Sequence, residues 1–262
     1  MAVRSTAVSG AKSHGIIFKQ HGLAHKYLAG LKGIEIGAAA HNPFGLEGSI
    51  NVAPEDDFEF YQGEQVKMCG AYAEVDVFAE AHDLPFDDNA QDYVISSHVF
   101  EHLPDPYGAL NEWIRVTKDG GYIFLIVPLP GAHPGDVDRK RATLQNILDA
   151  VGLTADTWDY EKNPIPDGRR GHYFVYSPED LQAIIGALFP DELKLVEVER
   201  RDTKVGNGFT LVYQVSKPEP VVEEPEPDIA FGYDDGEEAE PAPKKTRKRR
   251  KSETSWLREG FP

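Results

Sequence analysis

Residues 83–128 read DLPFDDNAQDYVISSHVFEHLPDPYGALNEWIRVTKDGGYIFLIVP. The run Tyr93-Val94-Ile95 is short and apolar, which is typical of a strand buried on both faces. We expect Gly120-Gly121 to end the helix that follows and residues 123–127 to form a second buried strand. That helix is predicted because apolar residues recur at helical spacing along one side of it: Ala109, Leu110, Trp113, Ile114 and Val116.

A strand, a helix and a second strand over this length form a parallel crossover unit, which is almost always right-handed. In open sheets built from such units, ligands bind beyond the carboxyl ends of the strands. Ser96, Ser97 and His98 leave the first strand at that edge, and residues 128–133 leave the second strand at the same edge. The sequence therefore predicts a binding site around these two loops.

Five short sequence motifs between Leu84 and Gly121, in this order and spacing, resemble those of the class I S-adenosylmethionine-dependent methyltransferases, specifically the type 11 group. The resemblance covers residues 30–130 well and residues 170–215 only by architecture. It implies an α/β fold with a Rossmann-like, mostly parallel sheet of about seven strands, an antiparallel last strand and flanking helices. The motifs are Leu84-Pro85-Phe86, Asp92-Tyr93-Val94, the run from His98 to Leu103, the run from Glu112 to Val116, and Lys118-Asp119-Gly120-Gly121.

The remaining segments predict further helices and strands. Ser177-Pro178-Glu179-Asp180 indicates a helix start, because it combines a serine cap, a proline in the first turn and acids near the positive end. Asp138 is predicted to cap a helix from Arg139 to about Val151. The last two strands are expected to pair as an antiparallel hairpin. The other predicted elements are helices over residues 14–29 and 61–72 and strands over residues 32–36, 48–52, 74–77, 193–200 and 209–215.

Length and composition fit one domain of ordinary size with additional segments. The 262 residues are 40% hydrophobic and include one cysteine, Cys69, so a disulfide framework or a cysteine metal cluster is not expected. We predict a flexible arm over residues 1–13 and a methyltransferase domain over residues 14–216, with a substrate-side insertion over residues 128–176. No long apolar segment predicts a signal peptide or a membrane span, and the cysteine usage favours a reducing compartment, so we expect a cytoplasmic protein.

Charge is unevenly distributed along the chain. The formal net charge is −17, and residues 1–216 alone hold 32 acidic and 18 basic residues, which disfavours nucleic acid as a partner of the body. Residues 217–262 are predicted to be a disordered tail, because they lack apolar surface to fold around. This tail is acidic from Glu219 to Glu240 and basic from Lys244 to Lys251. The basic run could weakly contact nucleic acid, a membrane or the chain's own acidic segment, or the tail could serve solubility alone.

The loop after the first strand is the first candidate cofactor site. The resemblance implies that Glu35-Ile36-Gly37 is the family's first binding motif, with Ala39 where a second glycine is usual. Glycine allows a close approach of the backbone to a ligand, and alanine adds little bulk. The alternative is a plain strand-to-loop turn with a partly buried Glu35.

The end of the second strand departs from the resembled family. An acid there normally accepts hydrogen bonds from both ribose hydroxyls, but Ala53 occupies the expected position. Glu55, Asp56 or Asn51 replaces that acid, or the affinity for the cofactor is reduced. These alternatives remain open at the level of the sequence.

The segment before the fourth strand supplies the remaining predicted cofactor contacts. In the resembled family, an acid at the position of Asp83 lies near the adenine amino group, and the next backbone amide faces the ring. The alternative for Asp83 is a turn-forming residue before Pro85. The complete set of predicted cofactor-binding residues is Glu35, Gly37, Ala39, Asn51, Asp83, Leu84, Phe86 and Ser97.

Three histidines are candidates for a general base: His98 by its position at the strand edge, followed by His133 and His172. His98 and His102 are four residues apart and flank Glu101, which raises the question of a metal. Two nearby prolines limit any helix there and no metalloprotease pattern is present, so we predict no metal site.

The predicted function is methyl transfer from S-adenosylmethionine to a small-molecule, sugar or lipid-like acceptor, at oxygen. No amino-methylation motif follows the fourth strand, where Ser96-Ser97-His98 stands instead. The resemblance implies that the insertion determines the acceptor, and Trp158, Tyr160, Tyr173 and Tyr176 are candidates for its pocket. The alternative is a catalytically inactive binding or scaffold protein with this fold, motivated by Ala39 and Ala53. A dinucleotide oxidoreductase is disfavoured because the glycine fingerprint is absent.

Overall fold

The computed structural model of the protein describes residues 21–56 and 58–217. The predicted arm, the first part of the helix predicted over residues 14–29 and all but the first residue of the predicted tail lie outside the described residues. The described residues form seven strands and five α-helices, together with short 3₁₀ turns.

The strands are β1 (Gly33–Ile36), β2 (Ser49–Ala53), β3 (Val77–Phe78), β4 (Gln91–Ser97), β5 (Thr117–Pro128), β6 (Leu193–Glu199) and β7 (Gly208–Val215). They form one sheet in the order β3-β2-β1-β4-β5-β7-β6. Strands β1 to β5 pair in parallel, whereas β7 is antiparallel to both β5 and β6. The predicted sheet, including the hairpin at its end, is therefore confirmed.

The helices are α1 (Gly22–Leu28), α2 (Phe58–Cys69), α3 (Pro106–Val116), α4 (Leu144–Asp149) and α5 (Pro178–Leu188). Because successive strand residues point to opposite faces, the central strands contribute to two separate cores. Val94 and Ile123 pack on the side of α3 and α5, whereas Tyr93 and Phe124 pack on the side of α1.

Side-chain caps fix where two of the long helices begin. Ser177 caps α5 as predicted, accepting a hydrogen bond from the backbone N–H of Asp180. Asp105 caps α3 with one carboxylate oxygen, which lies 2.8 Å from the backbone nitrogen of Gly108. Its other oxygen lies 2.7 Å from the backbone nitrogen of Gly152. Asp105 therefore also ties the insertion to the loop after β4.

The prediction that Asp138 caps a helix starting at Arg139 is wrong. Helix α4 begins at Leu144, and Thr143 is its cap. Residues 139–142 lie outside any helix, and the Arg139 guanidinium donates to the backbone carbonyls of His172 and Tyr173, at 2.6 and 3.0 Å. These tertiary contacts override the local capping signal.

The prediction that Gly120-Gly121 ends the helix is also wrong. Helix α3 ends at Val116, and β5 already begins at Thr117. The two glycines lie inside β5, where its pairing with β4 shifts register. Gly120 has a φ of +73°, a conformation that glycine adopts without strain. The glycine therefore permits the irregular backbone of β5 at this point.

Candidate active site

A cavity of about 720 Å³ lies at the carboxyl ends of β1, β2 and β4. Helix α2, the loop after β3, the insertion and the loop between β6 and β7 complete its walls. Its volume falls in the range of about 300–1,000 Å³ that is common for small-molecule sites. The cavity lies at the edge of the sheet where the sequence predicts a binding site.

The loop after β1 supplies one wall through Gly37, Ala38 and Ala39. Gly37 has a φ of +71°, and a Cβ at this position would lie 2.7 Å from Cγ2 of Val99. The backbone N–H of Ala38 donates to Oδ1 of Asn51 at 3.1 Å. Both the conformation and the packing of this loop therefore require glycine at position 37.

Among the three candidates for the missing ribose acid, the structure places only Asp56 on the cavity lining. Asn51 is 8% exposed, and its amide nitrogen donates to the backbone carbonyl of Glu74 at 2.6 Å. Asn51 therefore holds the loop in place, and Glu55 does not line the cavity. Asp56 also lies 3.7 Å from the Arg169 guanidinium across the cavity mouth.

The structure does not bring Asp83, Leu84 or Phe86 to the cavity lining. Glu80 and His82 from the same loop line the cavity instead. Asp83 is exposed, and its backbone N–H donates to the carbonyl of Glu80 at 3.1 Å, which closes a turn between them. Sequence reasoning missed Glu80, although it is the acid nearest to the end of β3.

The Leu84-Pro85-Phe86 segment is held against α3. The backbone N–H of Leu84 donates to the Glu112 carboxylate at 2.8 Å. The Arg115 guanidinium donates to the carbonyls of Leu84 and Phe86, at 3.1 and 2.8 Å. These contacts give the segment a structural role in connecting β4 to α3.

Lys204 lines the cavity from the loop between β6 and β7, and no pattern in the sequence indicates this position. Its Nζ lies 3.6 Å from the centre of the Phe44 ring. Burial lowers the pKa of Lys204 to about 8, against the opposing charges of Glu35 and Asp202. Burial raises the pKa of Glu35, and Lys204 opposes that shift. Glu35, predicted to contact the cofactor, does not line the cavity.

Two of the three predicted candidates for a base, His98 and His172, lie close to one buried carboxylate. Oε1 of Glu101, a residue that is 1% exposed, lies 3.7 Å from Nδ1 of His98 and 4.0 Å from Nε2 of His172. Nε2 of His102 lies 3.9 Å from the same oxygen. The ring of His133 is tilted against that of His172, with 5.0 Å between centroids. Ser97, His98 and His102 line the cavity, whereas His133 and His172 do not.

The insertion forms part of the cavity wall. Thr154, Asp156, Arg169 and Tyr173 contribute to the lining. Of the four aromatic residues predicted for a pocket, only Tyr173 lines the cavity. Trp158 packs edge-on against Tyr173, at 4.8 Å between centroids, and so supports this wall from behind.

The sheet order, with β7 inserted antiparallel between β5 and β6, and the cavity beyond β1, β2 and β4 define the class I methyltransferase type of α/β fold. Residues 58–125 match the family model described as a methyltransferase domain, of type 11. The resemblance predicted from the sequence is therefore confirmed.

Relatives match part of the chain. An uncharacterized methyltransferase from Mycobacterium sp. (strain KMS) is 40% identical over 88 residues, which cover 34% of this chain and 32% of that protein. The 27-O-demethylrifamycin SV methyltransferase from Amycolatopsis mediterranei (strain S699) is 30% identical over 80 residues, 29% of each chain. The chain thus spans about a third of the length of the curated relatives that it matches.

A solved SAM-dependent methyltransferase from Aquifex aeolicus is 19% identical to this chain, with a TM-score of 0.42 over 71% of this chain and 83% of that one.

Within residues 21–56 and 58–217, none of the helices combines the length and the apolar character that crossing a bilayer requires.

Proposed function

We propose that the protein transfers a methyl group from S-adenosylmethionine to an oxygen of a small-molecule acceptor. The observation that carries this proposal is the position of the 720 Å³ cavity beyond β1, β2 and β4, in a chain whose residues 58–125 match a methyltransferase domain. A small acceptor fits because the insertion and the loop between β6 and β7 add walls to the cavity. The rifamycin relative, named for a 27-O-demethyl compound, is consistent with oxygen as the acceptor atom.

The residues of the cavity fit this cofactor. Asp56, Glu64 and Glu80 place three carboxylates on the lining along α2 and the ends of β2 and β3. Carboxylates accept hydrogen bonds from ribose hydroxyls and amino groups and stabilise a neighbouring cationic centre. In this arrangement, Asp56 binds the ribose, Glu80 lies at the adenine end, and the backbone of Gly37 approaches the methionine portion.

One residue of the cavity, His98, can accept a proton from the acceptor. S-adenosylmethionine supplies a methyl group that is already activated on a sulfonium, so alignment of the acceptor accounts for most of the effect of the protein. His98 lines the cavity at the end of β4 and is positioned to take the proton of an acceptor hydroxyl. Tyr173 and Lys204 orient the acceptor from the opposite walls.

Calorimetric titration of the full chain with S-adenosylhomocysteine tests the proposal. We expect micromolar binding by the wild type and at least a tenfold loss in Gly37→Ala, because the new Cβ would lie 2.7 Å from Val99 Cγ2. The matched control is Gly30→Ala. Gly30 also has a positive φ, of +79°, but a Cβ added there would meet no atom within 4 Å, and the residue lies outside the cavity lining.

Two results would contradict the proposal. Equal losses in both glycine variants would mean that backbone strain, and not the cavity, determines binding. No binding by a folded wild-type chain would favour the alternative of an inactive binding or scaffold protein, which Ala39 and Ala53 motivate. With binding established, a screen of hydroxyl-bearing acceptors would then test the oxygen assignment.

A further inference from the structure

The carboxylate of Glu101 is the most unusual polar group in the described part of the chain. It is 1% exposed, and neither of its oxygens has a hydrogen-bond partner among the described residues. A buried carboxylate is normally paired or fully hydrogen-bonded, because removing an isolated charge from water is costly. The structure instead surrounds this carboxylate with imidazole nitrogens.

The hydrogen bonds of two histidines determine which of their nitrogens faces Glu101. Nδ1 of His172 lies 2.5 Å from Oδ2 of Asp136, and Nδ1 of His102 lies 3.1 Å from the carbonyl oxygen of Gly171. Both partners only accept, so each histidine donates through Nδ1. The Nε2 atoms of His102 and His172, at 3.9 and 4.0 Å from Oε1 of Glu101, therefore carry the lone pairs when the rings are neutral.

Two imidazole nitrogens and one oxygen of a buried carboxylate therefore lie close together. The ligand atoms of Glu101, His102 and His172 all lie within 4.8 Å of one another.

We propose that Glu101, His102 and His172 form a binding site for a divalent transition metal ion of the zinc type. Two imidazoles and one carboxylate are the ligands of known catalytic zinc and non-haem iron sites. Bonds of about 2.1 Å place tetrahedral ligands roughly 3.4 Å apart, so the carboxylate-to-nitrogen distances need to shrink by only about half an ångström. The inference departs from the sequence prediction of no metal, because the third ligand comes from the distant insertion.

The outer contacts match those of a metal centre. A metal-binding histidine usually donates its other N–H to a carboxylate or a backbone carbonyl, which Asp136 and Gly171 provide here. Asp136 is itself 4% exposed and held by the Arg139 guanidinium at 3.0 Å. His133 does not belong to this set: its Nδ1 accepts a hydrogen bond from the backbone N–H of Gly135, and its ligand atoms group instead with those of Asp136 and His172. A loss of metal binding in a His133 variant would therefore indicate that second group.

His102 is part of the cavity lining, so the proposed site lies next to the cavity, whereas Glu101 and His172 do not line it. His98 lies beside the proposed site and has a φ of +55°, a left-handed conformation that is rare for a residue with a side chain. A metal ion there would polarise an acceptor oxygen and favour loss of its proton. This role rests on the proposed methyl transfer, whereas the metal site itself does not.

Metal binding is tested on the full chain, freed of metal by chelation, by titration with Zn²⁺ and by the visible absorption of bound Co²⁺. Residues 218–262 contain no histidine or cysteine, so they add no ligand of these types. We expect one ion per chain, an affinity about 10–100-fold lower in Asp136→Asn, and a larger loss in Glu101→Gln and His172→Ala. His133→Ala is the matched control and should bind like the wild type.

Thermal unfolding distinguishes the loss of a metal-coordinating side chain from the loss of the fold. Without metal, Glu101→Gln should have a higher Tm than the wild type, because it removes an unpaired buried charge. Added Zn²⁺ should raise the Tm of the wild type and leave that of the variant unchanged. Absence of stoichiometric binding by the wild type, equal affinity in Glu101→Gln, or a lower Tm of the metal-free variant would overturn the proposal. S-adenosylhomocysteine titration is independent of these readouts, so failure of one proposal is distinguishable from failure of the other.

Discussion

Asp202 holds the loop that brings Lys204 to the cavity, and its replacement by asparagine probes that arrangement. The side chain is 2% exposed. Its two oxygens accept hydrogen bonds at 2.6–3.1 Å from the backbone N–H groups of Lys204, Val205, Gly206 and Gly208. In Asp202→Asn, one of these oxygens becomes an NH₂ group that faces N–H donors whichever way the amide turns. The variant loses at least one pair of contacts together with the charge.

A hydrogen bond to a charged group contributes about 1.5–3 kcal/mol. Losing two of them, with partial relaxation of the loop, should lower the free energy of unfolding by about 3 kcal/mol. With a urea slope of about 2 kcal/mol/M, the midpoint of urea unfolding should fall by about 1.5 M. Asp119→Asn is the control, because Asp119 is exposed and accepts from one backbone N–H, that of Lys217. Its effect should stay below about 0.5 kcal/mol.

The pH dependence provides a second check on Asp202. Burial raises the pKa of this carboxyl, but its bonds to the backbone N–H groups of the loop outweigh burial and lower the pKa overall. A lowered folded pKa gives stability that is present above the unfolded pKa, about 3.9, and lost as the pH falls through the folded pKa. The difference between wild type and variant should therefore be complete at neutral pH and shrink only below about pH 4. A midpoint equal to that of the wild type at neutral pH would refute the reasoning.

Three other variants test individual contacts. Asp105→Ala removes the cap of α3 and the bond to Gly152. Urea unfolding should therefore show a free energy of unfolding that is lower by about 2 kcal/mol. A decrease below about 0.5 kcal/mol would contradict both roles of Asp105. Trp113→Phe leaves the carbonyl of Ala81 without its 2.9 Å donor and should lower the free energy of unfolding by about 1–3 kcal/mol, measured in the same way. Lys204 has a pKa lowered to about 8, so the unfolded chain binds more protons than the folded one above that pH. Stability should rise between about pH 8 and pH 10 in the wild type relative to Lys204→Met, and parallel pH profiles would contradict this.

Local patterns in the sequence were sufficient to predict individual strands and the helices α3 and α5, whereas the arrangement of the whole sheet was implied by the family resemblance. Buried apolar runs such as Tyr93-Val94-Ile95 and the cap at Ser177 depend on neighbours within a few residues, and both were confirmed. The wrong predictions concern segments whose conformation depends on contacts with residues that are distant in the chain. The Arg139 side chain binds carbonyls more than 30 residues away, which holds residues 139–142 outside the helix, and the helix begins at Leu144.

The candidate site likewise contains some residues that could be predicted from local sequence and others that could not. Gly37 and Ser97 could be placed on the cavity from the sequence, because they follow strands whose ends meet at one edge. Lys204 and Glu80 could not, since their positions depend on how a loop folds back over that edge. Glu101 and His172 lie 4.0 Å apart but 71 residues apart in the chain, and no spacing rule connects them.

The insertion of β7 between β5 and β6 has a consequence for the order of folding during synthesis. Strand β5 forms seven residue pairs with β7, whose partners lie about 80–90 residues later in the chain. Until β7 has left the ribosome, one edge of β5 carries unpaired backbone groups beside the apolar side chains of Phe124 and Ile126. Because pairing across such long separations is slow and leaves intermediates exposed to aggregation, a nascent chain that stalls before residue 208 should need a chaperone to stay in solution.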